Sequence, residues 1–219
     1  DSATEFPHVL GPTLRAIYTV GLFHQNDDAT VQSYITDAAG SPVYSGNLNI
    51  FGYNYSVPAN AFSNNFYRLK EDLVAQSLVL RSSTEGTWDW EAIVSNLDFH
   101  NDILRTPTVP LPAAQSGGAG VITSMDGTGW WNADVRGIWR PQGPAGSSQM
   151  TFGAHYDRYA LVSPKYLTDN WMSGGNGALS SDARGKTRTE AVWLQEVWRF
   201  APDWTTTLGA RYEWWRAYD

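Results

Sequence analysis

The chain has 219 residues, 42% of them hydrophobic, enough for one sizeable β domain or two small ones. A net charge of −7 and a pI near 5.0 exclude nucleic acid as a partner, because no basic field exists to displace counterions from phosphates. Cysteine is absent, which excludes disulfides and thiolate metal sites, and no run of about eighteen apolar residues offers a transmembrane helix.

Eleven Trp, eleven Tyr and eight Phe accompany a negative mean hydropathy of −0.37, so rings and polar groups are interleaved rather than segregated. Interleaving of this kind is the mark of period-2 strands with one apolar and one wet face. Such strands cross a membrane with only about ten alternating residues each. The N-terminus, Asp1 to Pro7, is polar and carries no secretion signal, and the C-terminal residues 213–219 stop inside a strand pattern. Both ends read as cut.

In chain order, the first strand is expected over 13–22, where Leu14, Ala16, Tyr18, Val20 and Leu22 alternate with Thr13, Arg15, Thr19 and Gly21. A small hairpin is expected over 42–55, inside a long connection. The next strand, 67–81, sets Leu69, Leu73, Ala75 and Val79 against Arg68, Lys70, Asp72 and Gln76, with Glu71 out of place on the apolar side. The strand 88–102 changes phase between Trp88/Trp90 and Ile93/Leu97/Phe99, which a β-bulge would explain. In 131–139, Trp131, Ala133, Val135 and Trp139 alternate with Asn132, Asp134 and Arg136. In 150–161, Met150, Phe152, Ala154 and Tyr156 alternate with Thr151, Gly153, His155 and Asp157. The strand 187–200 has polar groups on both parities and its faces stay unassigned. The last, 205–216, sets Leu208, Ala210, Tyr212 and Trp214 against Thr207, Gly209, Arg211 and Glu213.

Short polar turns, about 82–86, 140–148 and 201–204, alternate with long links, about 26–66, 103–129 and 162–186. The alternation puts every long link at one end of the sheet, which is the plan of an outer-membrane barrel. Gly117-Gly118-Ala119-Gly120 and Gly174-Gly175-Asn176-Gly177 read as mobile stretches within those links. Trp88, Trp90, Trp139, Trp198 and Trp204 gather beside the short turns. Trp130, Trp131, Tyr159, Trp214, Trp215 and Tyr218 lie towards the long links, as two interfacial girdles would. The same pattern suits a soluble carbohydrate-binding β-sandwich, with Trp stacking on sugars, or a passive porin.

Several stretches resemble the barrel of TonB-dependent outer-membrane receptors. Residues 185–198, with Trp193, Gln195 and Glu196, lead through Ala201-Pro202-Asp203 into Thr207-Leu208-Gly209-Ala210-Arg211-Tyr212-Glu213. Asp126-Gly127-Thr128-Gly129-Trp130, Phe152-Gly153-Ala154-His155-Tyr156-Asp157 and the segment 37–46 are similar to stretches in one branch of that family. The resemblance implies an all-β, antiparallel meander of about seven long strands, an open segment of a 22-strand barrel, over residues 1–219. It implies a place in the bacterial outer membrane among lipid, and partnership with a plug domain and further strands outside this chain. TonB would act through an N-terminal region also outside it. The implied function is uptake of a scarce ligand, a ferric siderophore above all, with no bond made or broken and no cofactor.

Candidate ligand-binding residues follow from those placements. Asn132, Asp134, Arg136, His155, Asp157, Arg211 and Glu213 are expected to face the lumen, where plug contact and hydration are their ordinary roles. Arg105, Lys165, Tyr166, Trp171 and Arg184 are expected in external loops, where basic and aromatic groups suit an anionic ligand. His8, His24, His100 and His155 show no metal-ligand spacing. His155 and Asp157 share a face and are placed to bond. The carboxylate pairs Glu190/Glu196 and Asp89/Glu91 are read as wet-face acids rather than glycosidase groups.

Overall fold

The computed structural model describes residues 2–62 and 65–219. Its strands are β1 (Ser2–Gly11), β2 (Leu14–Ala29), β3 (Gly46–Ile50), β4 (Tyr53–Val57), β5 (Tyr67–Ser82) and β6 (Trp88–Pro107), followed by β7 (Gly120–Ser124), β8 (Gly129–Trp139), β9 (Ser148–Thr168), β10 (Leu179–Ala201) and β11 (Trp204–Tyr218). Nine of them form one antiparallel sheet in the order β1-β2-β5-β6-β9-β10-β11, with β7 and β8 sharing the place between β6 and β9. The pair β3–β4 is a separate hairpin inside the expected 42–55 region. All seven expected strands are present. The sheet adds β1, in the stretch read as a polar terminus, and β7.

Register shows why these sequences make this sheet. The residues Ala16, Leu80, Ala92, Val135, Ala154, Val192 and Tyr212 are mutual partners across seven strands, an apolar row. Three positions along, Thr19, Ser77, Ser95, Asn132, Asp157, Thr189 and Trp215 form a mostly polar row on the opposite face. Partners directly opposite share a face, so a slip of one residue in any strand would put apolar groups among polar ones. Among the described residues no second sheet covers the apolar face. Val135, Phe152, Leu194 and Leu208 stand exposed on it, Leu208 at 68%. A sandwich would bury that face; this one is left for an apolar solvent.

Two face assignments differ from the sequence reading. In β5 the side carrying Ala75 and Val79 is in register with Gly21 and Ile17 on the wet face, whereas Leu78 and Leu80 face out. In β6 the pairing with β8 is continuous from Trp88 to Asp98, so there is no bulge between Trp90 and Ile93. Ile93 is simply an apolar residue on the wet face, where it meets Val79. The irregularity lies further on, at His100, which is skipped between the pairs Leu73–Phe99 and Asp72–Asn101. β10 resolves in the same way: Val192, Leu194 and Trp198 face out, and Thr189, Ala191 and Trp193 face in.

β6, β9 and β10 have 20, 21 and 23 residues, about twice what a tilted strand needs to cross a bilayer. Their far halves stand clear as a wall beyond the spanning part, which in β6 ends near Asp98. Strands therefore continue into segments read as loops: β2 runs to Ala29, β6 to Pro107 and β9 to Thr168, and β10 begins at Leu179. Where β7 gives way to β8, Gly127 takes φ +83° and the chain steps sideways. Thr128 repairs the ladder there: its Oγ1 donates to Val162 O (2.9 Å) and accepts from Val162 N (3.0 Å).

The buried hydrophobic cluster lies outside the spanning sheet, at the end away from the short turns. Tyr44, Phe66, Leu111, Ala114 and Trp171 pack together, with Val31, Phe62, Val109 and Met172 against them. Trp171 is fully buried, donates Nε1–H to Ala114 O (2.9 Å) and lies 5.0 Å from the Phe66 ring. Gly120 permits this, because a Cβ there would sit 2.3 Å from Trp171 Cβ. The glycine-rich stretches are thus packed segments: Trp171 N bonds Gly118 O, and Gly174 O accepts from Arg105.

Candidate functional site

The wet face gathers most of the residues singled out from sequence. Asn132, Asp134 and Arg136 on β8 lie opposite Asp157, His155 and Gly153 on β9. His155 Nδ1 is 2.8 Å from Asp134 Oδ1, so its partner is the cross-strand acid rather than Asp157. Arg136 Nη2 lies 3.0 Å from Glu91 Oε1. Two strands away, Arg211 and Glu213 of β11 bond each other at 2.8 Å. Their β10 partners Trp193 and Ala191 connect them in register to Gly153 and His155. The aromatic residues towards the long-link end divide between faces. Trp130 and Tyr159 (6.1 Å apart) belong to the wet side, whereas Trp131 and Trp214 face out.

At the short-turn end the wet face becomes strongly charged. Arg15, Arg81, Glu91 and Arg136 are successive partners in one row. With Asp89 and Arg140 they line a cleft. Asp89 is buried: its Oδ1 accepts from Ser82 Oγ (2.8 Å) and Thr84 N (2.7 Å), and its Oδ2 from Arg140 Nη1 (2.8 Å). Arg140 also donates to Gln149 Oε1 and Gly86 O, tying two short turns together. Sequence reasoning does not single out Arg81 or Arg140. Arg81 has the parity of Val79, which the sequence places on the apolar side, and Arg140 lies in a turn where no periodicity applies. Glu190 and Glu196 share the out-facing side of β10 with Val192 rather than the expected wet face; Glu190 is held by Arg188 and Glu196 by Ser148, so neither pair of acids is free to act as a catalytic couple.

The residues expected in external loops are mostly in strands. Lys165 is exposed on the face that continues the wet side of the wall, opposite Thr123. Arg105, Tyr166 and Arg184 lie on the other face. Arg105 donates to Gly174 O at 2.8 Å. Arg184 is bound to Asp182 at 2.8 Å, and that hydrogen bond pushes its guanidinium further above the usual arginine range. Trp171 is interior to the buried hydrophobic cluster. Among the described residues no three His, Asp or Glu side chains group to hold a metal ion. His24 instead bonds Asp72.

One antiparallel sheet, bare and apolar on one side, charged and hydroxylated on the other, with short turns at one end and a raised wall at the other, is the wall of a transmembrane β-barrel. Its strands belong to a specific kind. The profile of the family described as "TonB dependent receptor-like, beta-barrel" matches residues 13–219, and the chain belongs to that family of outer-membrane proteins. No curated protein and no solved structure matches it significantly. The apolar face is accordingly the lipid face, and the wet face lines the barrel interior.

Proposed function

We propose that the chain is a segment of the barrel of a TonB-dependent outer-membrane transporter that takes up a scarce ligand, a ferric siderophore. The carrying observation is the pair of opposed faces: an unbroken apolar row outside, and inside it the row Arg15, Arg81, Glu91 and Arg136. A passive pore needs only a hydrated lumen. Here the charges concentrate at the short-turn rim, where Arg15, Arg81 and Arg136 surround Glu91 and present a surface for a plug domain to lean on.

In this reading Asn132, Asp134, Arg136, His155, Asp157, Arg211 and Glu213 hydrate the lumen and contact the plug. Lys165, on the lumen-facing side of the external wall, meets an anionic ligand. Trp171 and Arg105 support the wall that presents it, with Tyr166 and Arg184 on its outer side. TonB would reach the receptor through a region outside this chain.

The test is uptake of a radiolabelled ferric siderophore by iron-starved cells, with the gene present or deleted and with TonB active or removed. Loss of uptake on either deletion supports the proposal. Uptake that needs this protein but not TonB would overturn it in favour of a passive porin.

A further inference from the structure

Where β6 leaves the spanning part, the wet face has a chemistry that the short-turn rim lacks. Phe99, Trp130 and Tyr159 form a ladder of rings there, with Trp130 centred 6.3 Å from Phe99 and 6.1 Å from Tyr159. Among the described residues no cationic side chain stands over any of the three. Acids flank them on both sides. On β6 the wet-face residue after Phe99, past the skipped His100, is Asp102, and its direct partner across the sheet is Glu71. Asp102 N donates to Asp126 Oδ1 (2.7 Å), which brings a third carboxylate to the pair. On β9 the wet-face residue before Tyr159 is Asp157.

Like charges directly opposite one another destabilise a sheet, and nothing described in the chain offsets this pair. Asp102 is 8% exposed, yet among the described residues its carboxylate accepts no hydrogen bond and joins no ion pair. Burial, and then Glu71 and Asp126, push that carboxyl above its ordinary range. The wet-face cations nearest in register are elsewhere or engaged. Lys165 is two strands across from Leu104 and makes no ion pair, which puts it roughly 12 Å from Asp102 at ordinary strand spacings. Arg136 is bound to Glu91, and His155 to Asp134. A buried, unpaired carboxylate is costly, and ring faces carry negative charge. Together they are the complement of a cation.

We propose that this patch of the interior wall holds a positively charged nitrogen of the transported ligand, an ammonium or guanidinium group, between the rings of Trp130 and Tyr159 and the carboxylates of Glu71 and Asp102. This rests on the transporter reading above and gives its ligand a class: an iron chelate with a basic tail. Lys165, further along the wall, is left for an acidic part of the same ligand.

The experiment uses the protein purified from outer membranes in mild detergent, with equilibrium dialysis of radiolabelled iron complexes as the readout. The probes are the ferric complex of a linear trihydroxamate bearing one free primary amine and the same complex with that amine acetylated. The iron centre is neutral in both, so they differ by a single positive charge. The amine form should bind roughly tenfold more tightly, as a charged group meeting a buried carboxylate does, and the gap should narrow as salt rises. Glu71→Gln/Asp102→Asn should erase the gap by weakening the amine form alone, and Trp130→Leu should weaken the amine form more than the acetylated one. Asp98→Asn makes the same charge change on the opposite face of β6 and should leave the gap intact. If the double variant does not fold, Glu71→Gln alone and the wild-type comparison decide the matter. Equal binding of the two forms, no binding of the amine form, or a gap that survives the double substitution would overturn the proposal. Equal binding alongside TonB-dependent uptake would remove the cation site and leave the transporter standing, whereas uptake without TonB would remove the transporter itself.

Discussion

Replacing Asp89 with Ala should loosen the short-turn rim more than any other single truncation on the lumen face. The carboxylate is 7% exposed and accepts three hydrogen bonds, one of them from Arg140, whose side chain is 17% exposed. Removing one partner of a buried ion pair leaves the other desolvated and unpaired, which costs about 3–5 kcal/mol. Asp89→Asn keeps the shape and can still accept from Thr84 N and Ser82 Oγ, so its cost should fall to about 1.5–3 kcal/mol, the worth of a hydrogen bond to a charged group. The assay is urea unfolding of the protein in detergent or liposomes, followed by the fluorescence of its eleven tryptophans. Paired with Arg140→Gln, the cycle should show a coupling of about 1–3 kcal/mol, since the residues share one network. A cost for Asp89→Ala below about 1 kcal/mol, or strict additivity with Arg140→Gln, would refute the clamp.

Val135→Arg, placed in the middle of the unbroken apolar row, should destabilise the inserted barrel by about 2–4 kcal/mol. Asn132→Arg, on the lumen face of the same strand, should be near neutral in the same urea titration. Gly120→Ala puts a Cβ 2.3 Å from Trp171 Cβ and 2.5 Å from Thr106 O. It should cost about 1–3 kcal/mol and appear as faster proteolytic clipping in 108–119 and 169–178 with the barrel intact. Asp102, beyond the spanning part of β6, has its carboxyl pushed above the ordinary range by burial and then by Glu71 and Asp126. Folding therefore favours its protonated form. The stability this confers on the external wall is fully present below the ordinary carboxylate range and is lost as pH rises through the raised pKa. Hydrogen-exchange protection around 99–104 should weaken towards neutral pH in the wild type, and Asp102→Asn should flatten that slope.

Much of the sheet was legible because a barrel wall meets two solvents and its strands advertise both. The strand 205–216 needed only its parity, and the alternation of short turns with long links put the long connections at one end of the sheet. Legibility failed where the lumen itself is apolar. Ile17, Val79 and Ile93 are neighbours on the wet face, and parity scoring of 67–81 and 88–102 misassigned two of these three. It failed again where strands leave the membrane, since Lys165 and Arg184 sit in strands wet on both sides, with no period to read. The first strand escaped because Ser2–Gly11 is known as a strand only through its partner, Phe6 lying opposite Tyr18. At the site, sequence found which residues share the wet face but not who pairs with whom. His155 chooses Asp134, 21 positions away in sequence, over Asp157 on its own strand. Side chains two apart on a strand are further apart than cross-strand partners.

The distribution of buried apolar groups also says where this molecule can move. The spanning sheet is held by continuous ladders and by the lipid around it, with few side chains packed in a core of their own. The external end is held differently: a cluster centred on Trp171, two arginine-to-carbonyl bonds from Arg68 and Arg105, and the stitch at Thr128. A small cluster opens at lower cost than a whole ladder, so local opening belongs to the external end. The contacts that hold it are mostly on the outer side of the wall, where Arg68 lies 5.8 Å from the Trp171 ring. Lys165, on the inner side, is free of them. On the proposed function, a ligand reaching the inner side of this wall would meet a surface braced from behind and could bind there without first unpacking the cluster.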